Sequence, residues 1–232
     1  MNLKIIYSYD GSKFHGSQRQ PDKKSVENIL QNSFNSIGIY ENLISSSRTD
    51  KGVHALNQVS TIICPNFWDL NKLVKVLNKN CHPHIHIKNI SIMKNDFHPR
   101  YDAKFRSYRY IINHQNYNPF LSNYCYFYKE LDLKLLNRAL SKFIGKYDFV
   151  NFMKTGSDNK TTIRNIYKSY AYKYNNYTII KFKADGFLRA QVRLMIANAI
   201  KEIETEESFT IKKAITRNPA PPNGLYLERI FY

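Results

Sequence analysis

The sequence predicts an α+β protein made of two pseudo-equivalent halves, with a mixed, mainly antiparallel sheet and helices on one face. Three observations carry that expectation. The first part of the 232-residue chain reads strand, helix, strand, strand, helix, strand. The rest repeats a looser version of that order, and no Pro/Ser-rich linker separates the two. The halves are assigned to residues 1–95 and 96–232.

The elements follow from local pattern. "LKIIYSY" (Leu3 to Tyr9) reads as a strand, and "DGSKFHGSQRQPDKK" as a glycine-bearing loop. "SVENILQNSFNSIG" places Val26, Ile29, Leu30, Phe34 and Ile37 on one helical stripe, with Ser25 as N-cap and Gly38 as stop. A short strand near Leu43 to Ser46 precedes the loop "SSSRTDKG", and "ALNQVSTIIC" is a strand. "DLNKLVKVLNKN" is a helix with Leu70, Leu73, Val74 and Leu77 inward, and "HIHIKNISIM" a strand. In the second half, "YDAKFRSYRYIINH" reads as one long strand and "LDLKLLNRALSKFIG" as a helix on Leu133, Leu136, Leu140 and Phe143. Strands follow around Ile163 to Tyr174 and Thr178 to Ala184. "GFLRAQVRLMIANAIKEI" is an amphipathic helix and "GLYLERIFY" a closing strand. The order is the split βαβ arrangement of ferredoxin-like and RNA-recognition folds. A cleft between two such halves suits a ligand.

Charge narrows the ligand. Thirty-five Lys and Arg against eighteen Asp and Glu give +17, a field that draws polyanions such as nucleic acid or acidic membrane. An AT-rich genome would also enrich Lys, Asn, Ile, Tyr and Phe, but it would raise Glu as well, and Glu is scarce. Cys64, Cys81 and Cys125 have no CxxC spacing and an odd count, which fits a reducing cytoplasm. The N-terminus does not read as a signal peptide, and no window approaches the ~18 apolar residues of a membrane helix.

Several residues are candidates for chemistry. In "RTDKG", Arg48 would favour the ionised form of Asp50 through a nearby opposite charge. Gly52 can take a positive φ, and an ionised aspartate can act as nucleophile or general base without a metal. On the residues alone, a turn with a favourably placed Asp is the commoner reason for such a stretch. Asp10, Asp102, Asp148 and Asp185 stand at element ends, without the close pairing a two-metal nuclease needs. In "CHPHIH", His84 and His86 would share a strand face, with too few neighbours for zinc and with Pro83 interrupting. "FHPRYDAKFRSYRYII" interleaves aromatics and arginines, putting Arg106, Tyr108 and Tyr110 on one face and Phe105, Ser107 and Arg109 on the other. That combination stacks bases and holds phosphates, although one face is expected to pack in the core. Arg189 and Arg193, read at i and i+4 of a helix, would together face an anion such as phosphate.

Taken together, these segments resemble the TruA family of tRNA pseudouridine synthases over nearly the whole chain. "YDGSKFHGSQRQ", "SRTDKGVHALNQV", "FHPRYDAKFRSYRY", "GKYDFVNF", "ADGFLRAQVR" and "PPNGLYLERIFY" match six family segments in order. Ser17 stands where the family usually has Trp, Ser47 where it has Gly, and Gln191 where it often has Met. None of these changes removes an ionisable group. The loss of Trp bears on local packing or a base contact, and Ser47 implies that the residue before Arg48 needs no positive φ.

The resemblance implies a cofactor-free, metal-free isomerase acting on uridines at tRNA positions 38 to 40 in the anticodon arm, as a homodimer in the cytoplasm. By position it makes Asp50 the catalytic aspartate and Arg48 the arginine that pairs with it and intrudes on the RNA. Tyr108 becomes the tyrosine that stacks on the target base, and Arg193 the arginine beside the carboxylate. His54, Arg106 and Arg189 are expected as further RNA contacts. A silent RNA-binding or tRNA-chaperone protein on the same scaffold is the rival from another class, and a metal-dependent nuclease a weaker third.

Overall fold

A computed structural model describes residues 1–21, 24–156, 160–205 and 207–232. The chain forms two compact units, Met1–Lys104 with Leu227–Tyr232, and Phe105–Tyr226. The fold is α+β, with mainly antiparallel pairing and four α-helices among the described residues.

The first unit runs β1 (Asn2–Tyr9), α1 (Val26–Asn35), β2 (Ile44–Ser45), β3 (His54–Ile63), α2 (Leu70–Cys81) and β4 (Ile85–Met93), in the order the sequence predicts. β1 lies between β3 and β4, antiparallel to both. Leu3, Ile5 and Tyr7 alternate inward and are buried with Val26, Leu30 and Phe34 of α1 and Leu73 and Leu77 of α2. Burial pushes the Tyr7 phenol far above its usual range, so it stays neutral and bonds Ser60 Oγ at 2.9 Å. Ser25 caps α1, its Oγ accepting from Asn28 N–H at 3.3 Å. Gly38, at φ +79°, closes the helix, with its N–H on the Asn35 carbonyl and Ile39 N–H on that of Phe34.

Two expectations change here. The long strand predicted from Tyr101 begins only at Phe105, because residues 98–102 are tied into a turn. The Asp102 carboxylate accepts from His98 N–H at 2.9 Å, and the His98 ring accepts from the N–H groups of Arg100 and Tyr101. His84 and His86 do not share β4 either: the strand starts at Ile85, and His84 meets the Phe14 ring edge-on.

The second unit runs β5 (Phe105–Asn113), β6 (Tyr126–Phe127), α3 (Leu133–Ser141), β7 (Gly145–Asp148), β8 (Ile163–Tyr174), β9 (Tyr177–Ala184) and α4 (Gln191–Thr205). The last strand, β10 (Leu225–Phe231), passes from this unit back into the first, beside β3. The sheet order is β5-β9-β8-β7, all antiparallel, and β6 pairs parallel with β5. β8 and β9 turn through Asn175, whose short polar side chain tolerates its φ of +51°. α3 covers one face of β8: Asn137 bonds the backbone of Ala171 and Leu140 O accepts from Ser169 Oγ, while Tyr170 and Tyr172 point to solvent.

The Phe143 ring stacks on Phe209 at 4.7 Å and meets Phe152 edge-on at 5.2 Å, all three fully buried. Beside them Lys142 Nζ joins α3 to α4 through both carboxylate oxygens of Glu202. Cys64, Cys81 and Cys125 are free and buried, and burial raises each thiol's pKa. No helix among the described residues is long and apolar enough to cross a membrane.

Two stability outcomes follow. Phe143→Ala is expected to destabilise the protein by about 3–5 kcal/mol through the cavity it leaves, read from the denaturant midpoint. Gly11→Ala places a Cβ 2.0 Å from the Val53 carbonyl oxygen, a backbone clash expected to cost about 2 kcal/mol or more in the same assay.

Candidate active site

In the first unit the site is built on the crossing from β2 to β3. Asp50 is half-buried, between exposed Arg48 and exposed Lys51. Val53 N–H donates to the Asp50 carbonyl at 3.1 Å, closing a four-residue turn whose third position, Gly52, has φ +81°. Only glycine takes that conformation without strain, so the turn is why "DKGV" reads as it does. Ser47 is not among the residues at positive φ, in line with a serine there.

The loop is braced from outside its own sequence. Gln58, fully buried on β3, donates from Nε2 to the Ser47 carbonyl at 2.8 Å. The end of β1 and the β1–α1 connection supply the rest: the Tyr9 hydroxyl bonds Thr49 Oγ1 at 2.7 Å, and Thr49 N–H donates to Ser17 Oγ at 2.8 Å. Sequence reading marks Ser17 only as a departure from a family pattern. Its contact reaches over 32 positions, and no local signal announces it.

His54 is buried at the start of β3. Its Nδ1 accepts from Gly11 N–H at 3.0 Å, which places the ring proton on Nε2. The 3.4 Å approach of Asp10 Oδ1 to the same Nδ1 is therefore a close contact, not an ion pair. Asp10 Oδ1 is engaged by the Ser12 N–H and hydroxyl, capping the short turn Gly11–Lys13. His54 and Asp10 thus hold the "YDGS" turn against the beginning of β3, with His54 buried there.

In the second unit the predicted residues lie on β5 and around α4. Tyr108 is 7% exposed, and its ring meets Phe187 edge-on at 5.2 Å. Tyr110 is fully buried, donates to the Pro221 carbonyl at 2.9 Å, and is held neutral by burial, which raises its pKa. The Arg106–Tyr108–Tyr110 face is therefore the one that packs inward. Arg106 donates to the Asp185 carbonyl at 2.8 Å. On the opposite face Phe105 meets Tyr167 edge-on and carries Lys183 Nζ over its ring at 4.4 Å.

Arg189 and Arg193 are not one helical turn apart, contrary to the reading from spacing. α4 starts at Gln191, and Ala190 has φ +57°, outside the helix. The physical cause is Gln191, whose side-chain oxygen accepts from Leu188 N–H at 2.8 Å while its own N–H returns to the Leu188 carbonyl. That local bonding competes with helix continuation. Arg189 is exposed and donates to the Thr155 carbonyl at 3.1 Å. Arg193 is within α4, and its Nε donates to the Ala220 carbonyl at 2.6 Å, with Ala220 N–H returned to the Arg193 carbonyl. The guanidinium is aimed by the loop before β10. Gly224 lets that loop lie on Tyr110, since a Cβ there would come within 2.8 Å of the ring.

The first unit thus carries a half-buried aspartate on a braced turn, and the second carries an inward-packed tyrosine on β5 and an arginine bonded to the Ala220 carbonyl. A family model described as tRNA pseudouridine synthase matches residues 5–102 and 139–232, covering both the Asp50 loop and the Arg193 helix. A protein of Campylobacter jejuni subsp. doylei named tRNA pseudouridine synthase A is 48% identical over 240 residues, covering all of both chains. Proteins of the same name from Helicobacter hepaticus and Helicobacter pylori are 38% and 37% identical, covering 99% of this chain and 98% and 99% of their own. With both the loop and the helix inside the match and relatives aligned end to end, this chain belongs to the tRNA pseudouridine synthase family.

Proposed function

We propose that this protein isomerises uridine to pseudouridine in the anticodon arm of tRNA, at tRNA positions 38 to 40, with Asp50 as the catalytic carboxylate. The observation that carries the reading is the Asp50 turn. The loop carrying half-buried Asp50 is shaped by a glycine at positive φ and held by side chains from β1, the β1–α1 connection and β3. Family membership supplies the substrate class, and the +17 charge supplies the attraction to RNA.

The reaction breaks the N1–C1′ bond, leaving the electron pair on the uracil. The base turns, C5 bonds C1′, the C5 proton is lost and N1 gains one, so product and substrate are isomers. A carboxylate serves this chemistry by attack at C1′, by taking a sugar proton to form a glycal, or by addition to the ring. The target must leave its stack, at a cost of a few kcal/mol, and the Tyr108 ring is assigned as the surface that receives it. Arg193, oriented through Nε, and Arg48, exposed beside Asp50, are assigned to the phosphates and to the carboxylate's field. Arg106 and Arg189 are assigned to the RNA backbone. The reaction is assigned no metal and no cofactor, the protein is assigned to the cytoplasm, and the working form is assigned as a homodimer.

The test incubates unmodified tRNA transcript with wild type and Asp50→Asn in chelator and maps pseudouridine by carbodiimide stops. Wild type is expected to give stops in the anticodon arm. Asp50→Asn is expected to lose turnover by about 10²- to 10⁴-fold or more while binding tRNA within about threefold of wild type. Binding by both without product from either would mean an RNA-binding scaffold. Tyr108→Phe, which keeps the ring, is expected to retain product formation, and Tyr108→Leu to lose it by about 10²-fold at similar melting temperature.

A further inference from the structure

The residue before Asp50 is clamped on both sides of its backbone by one residue from the β1–α1 connection. Ser17 N–H donates to the Thr49 carbonyl at 3.1 Å, and Thr49 N–H donates to Ser17 Oγ at 2.8 Å. The Tyr9 hydroxyl holds the Thr49 side chain at 2.7 Å. Gly16, at φ +112°, makes the approach possible, because a Cβ there would lie 3.1 Å from the Thr49 carbonyl oxygen. Ser17 is 1% exposed, so water has little access to replace its hydroxyl, and losing it leaves a backbone N–H unpaired. On the other side of Asp50, its own carbonyl is held by Val53 N–H. The backbone carrying the carboxylate is thus fixed from both directions, which leaves mainly the side-chain torsions to place the oxygens.

We propose that Ser17 is a positioning residue for the Asp50 carboxylate, acting through the Thr49 peptide to set turnover rather than tRNA affinity. This rests on the assignment of Asp50 as the catalytic carboxylate. The resembled family usually carries Trp at this position, and an indole has a donor but no acceptor. An indole would not reproduce the bond from Thr49 N–H that the Ser17 hydroxyl accepts. Clamping matters because a displacement of about 1 Å at a reacting group costs about 10²-fold in rate.

The test compares full-length wild type, Ser17→Ala, Ser17→Cys and Asp50→Asn for single-turnover pseudouridine formation, KM, tRNA affinity and melting temperature. Ser17→Ala is expected to lower kcat by about 10- to 100-fold, with KM and tRNA Kd within about twofold. Ser17→Cys keeps the side chain small but offers only a weak acceptor. It is expected to fall in the same direction, and it carries the test should the alanine variant not fold. Normal kcat in both Ser17 variants alongside inactive Asp50→Asn overturns the positioning role and leaves the Asp50 assignment standing. A loss that appears in KM and tRNA affinity with kcat intact also overturns it. Retained turnover in Asp50→Asn overturns both assignments, and that outcome separates the two failures.

Discussion

The docking of residues 9–17 onto the loop 47–54 is the constraint on which the rest of the first unit's function depends. Strand β1 ends at Tyr9, and the chain then turns so tightly that Gly11 touches the Val53 carbonyl. From there it delivers Gly16 and Ser17 to the Thr49 peptide. His54 completes the arrangement by accepting from Gly11 N–H, so the turn and the start of β3 satisfy each other's polar groups without water. A loop with two charged neighbours and a glycine would otherwise be free to sample many conformations. Here the cost of ordering it is met by hydrogen bonds that form as part of folding the sheet.

The second unit treats its arginine in a comparable way. Arg193 exchanges two hydrogen bonds with Ala220, and the same loop accepts the buried Tyr110 hydroxyl through Pro221. The loop before β10 therefore couples the orientation of a helix cation to the packing of the β5 core. Tyr108 shares that inward face, so it is a rigid ring, held edge-on by Phe187, and not a mobile surface tyrosine. Few rotamers are open to a ring packed in this way.

Charge works at longer range than these contacts. The excess of lysine and arginine raises encounter with RNA but does not specify where the RNA lies. Individual arginines are instead aimed by backbone carbonyls: Arg106 by Asp185, Arg189 by Thr155 and Arg193 by Ala220. Carbonyl acceptors fix the direction in which a guanidinium points.

Hydrophobic period and turn chemistry by themselves determined much of this protein. The order of elements in the first unit, the Ser25 cap, the Gly38 stop and the inward stripes of α1, α2 and α3 all follow from residues within one or two helical turns of each other. The Asp50 turn was legible for the same reason, since a glycine two residues after an aspartate is a local signal. Where β5 and α4 begin was not legible in the hydrophobic period, which local polar bonding overrides. His98 with Asp102, and Leu188 with Gln191, satisfy backbone groups in ways that delay a strand and a helix despite a favourable pattern. Only the tertiary structure decided which face of β5 is buried, and it brought Ser17 and Tyr9 to Thr49. Those contacts join positions tens of residues apart, and a hydrogen bond of that reach leaves no periodicity in the sequence because it depends on where the whole sheet carries its loops.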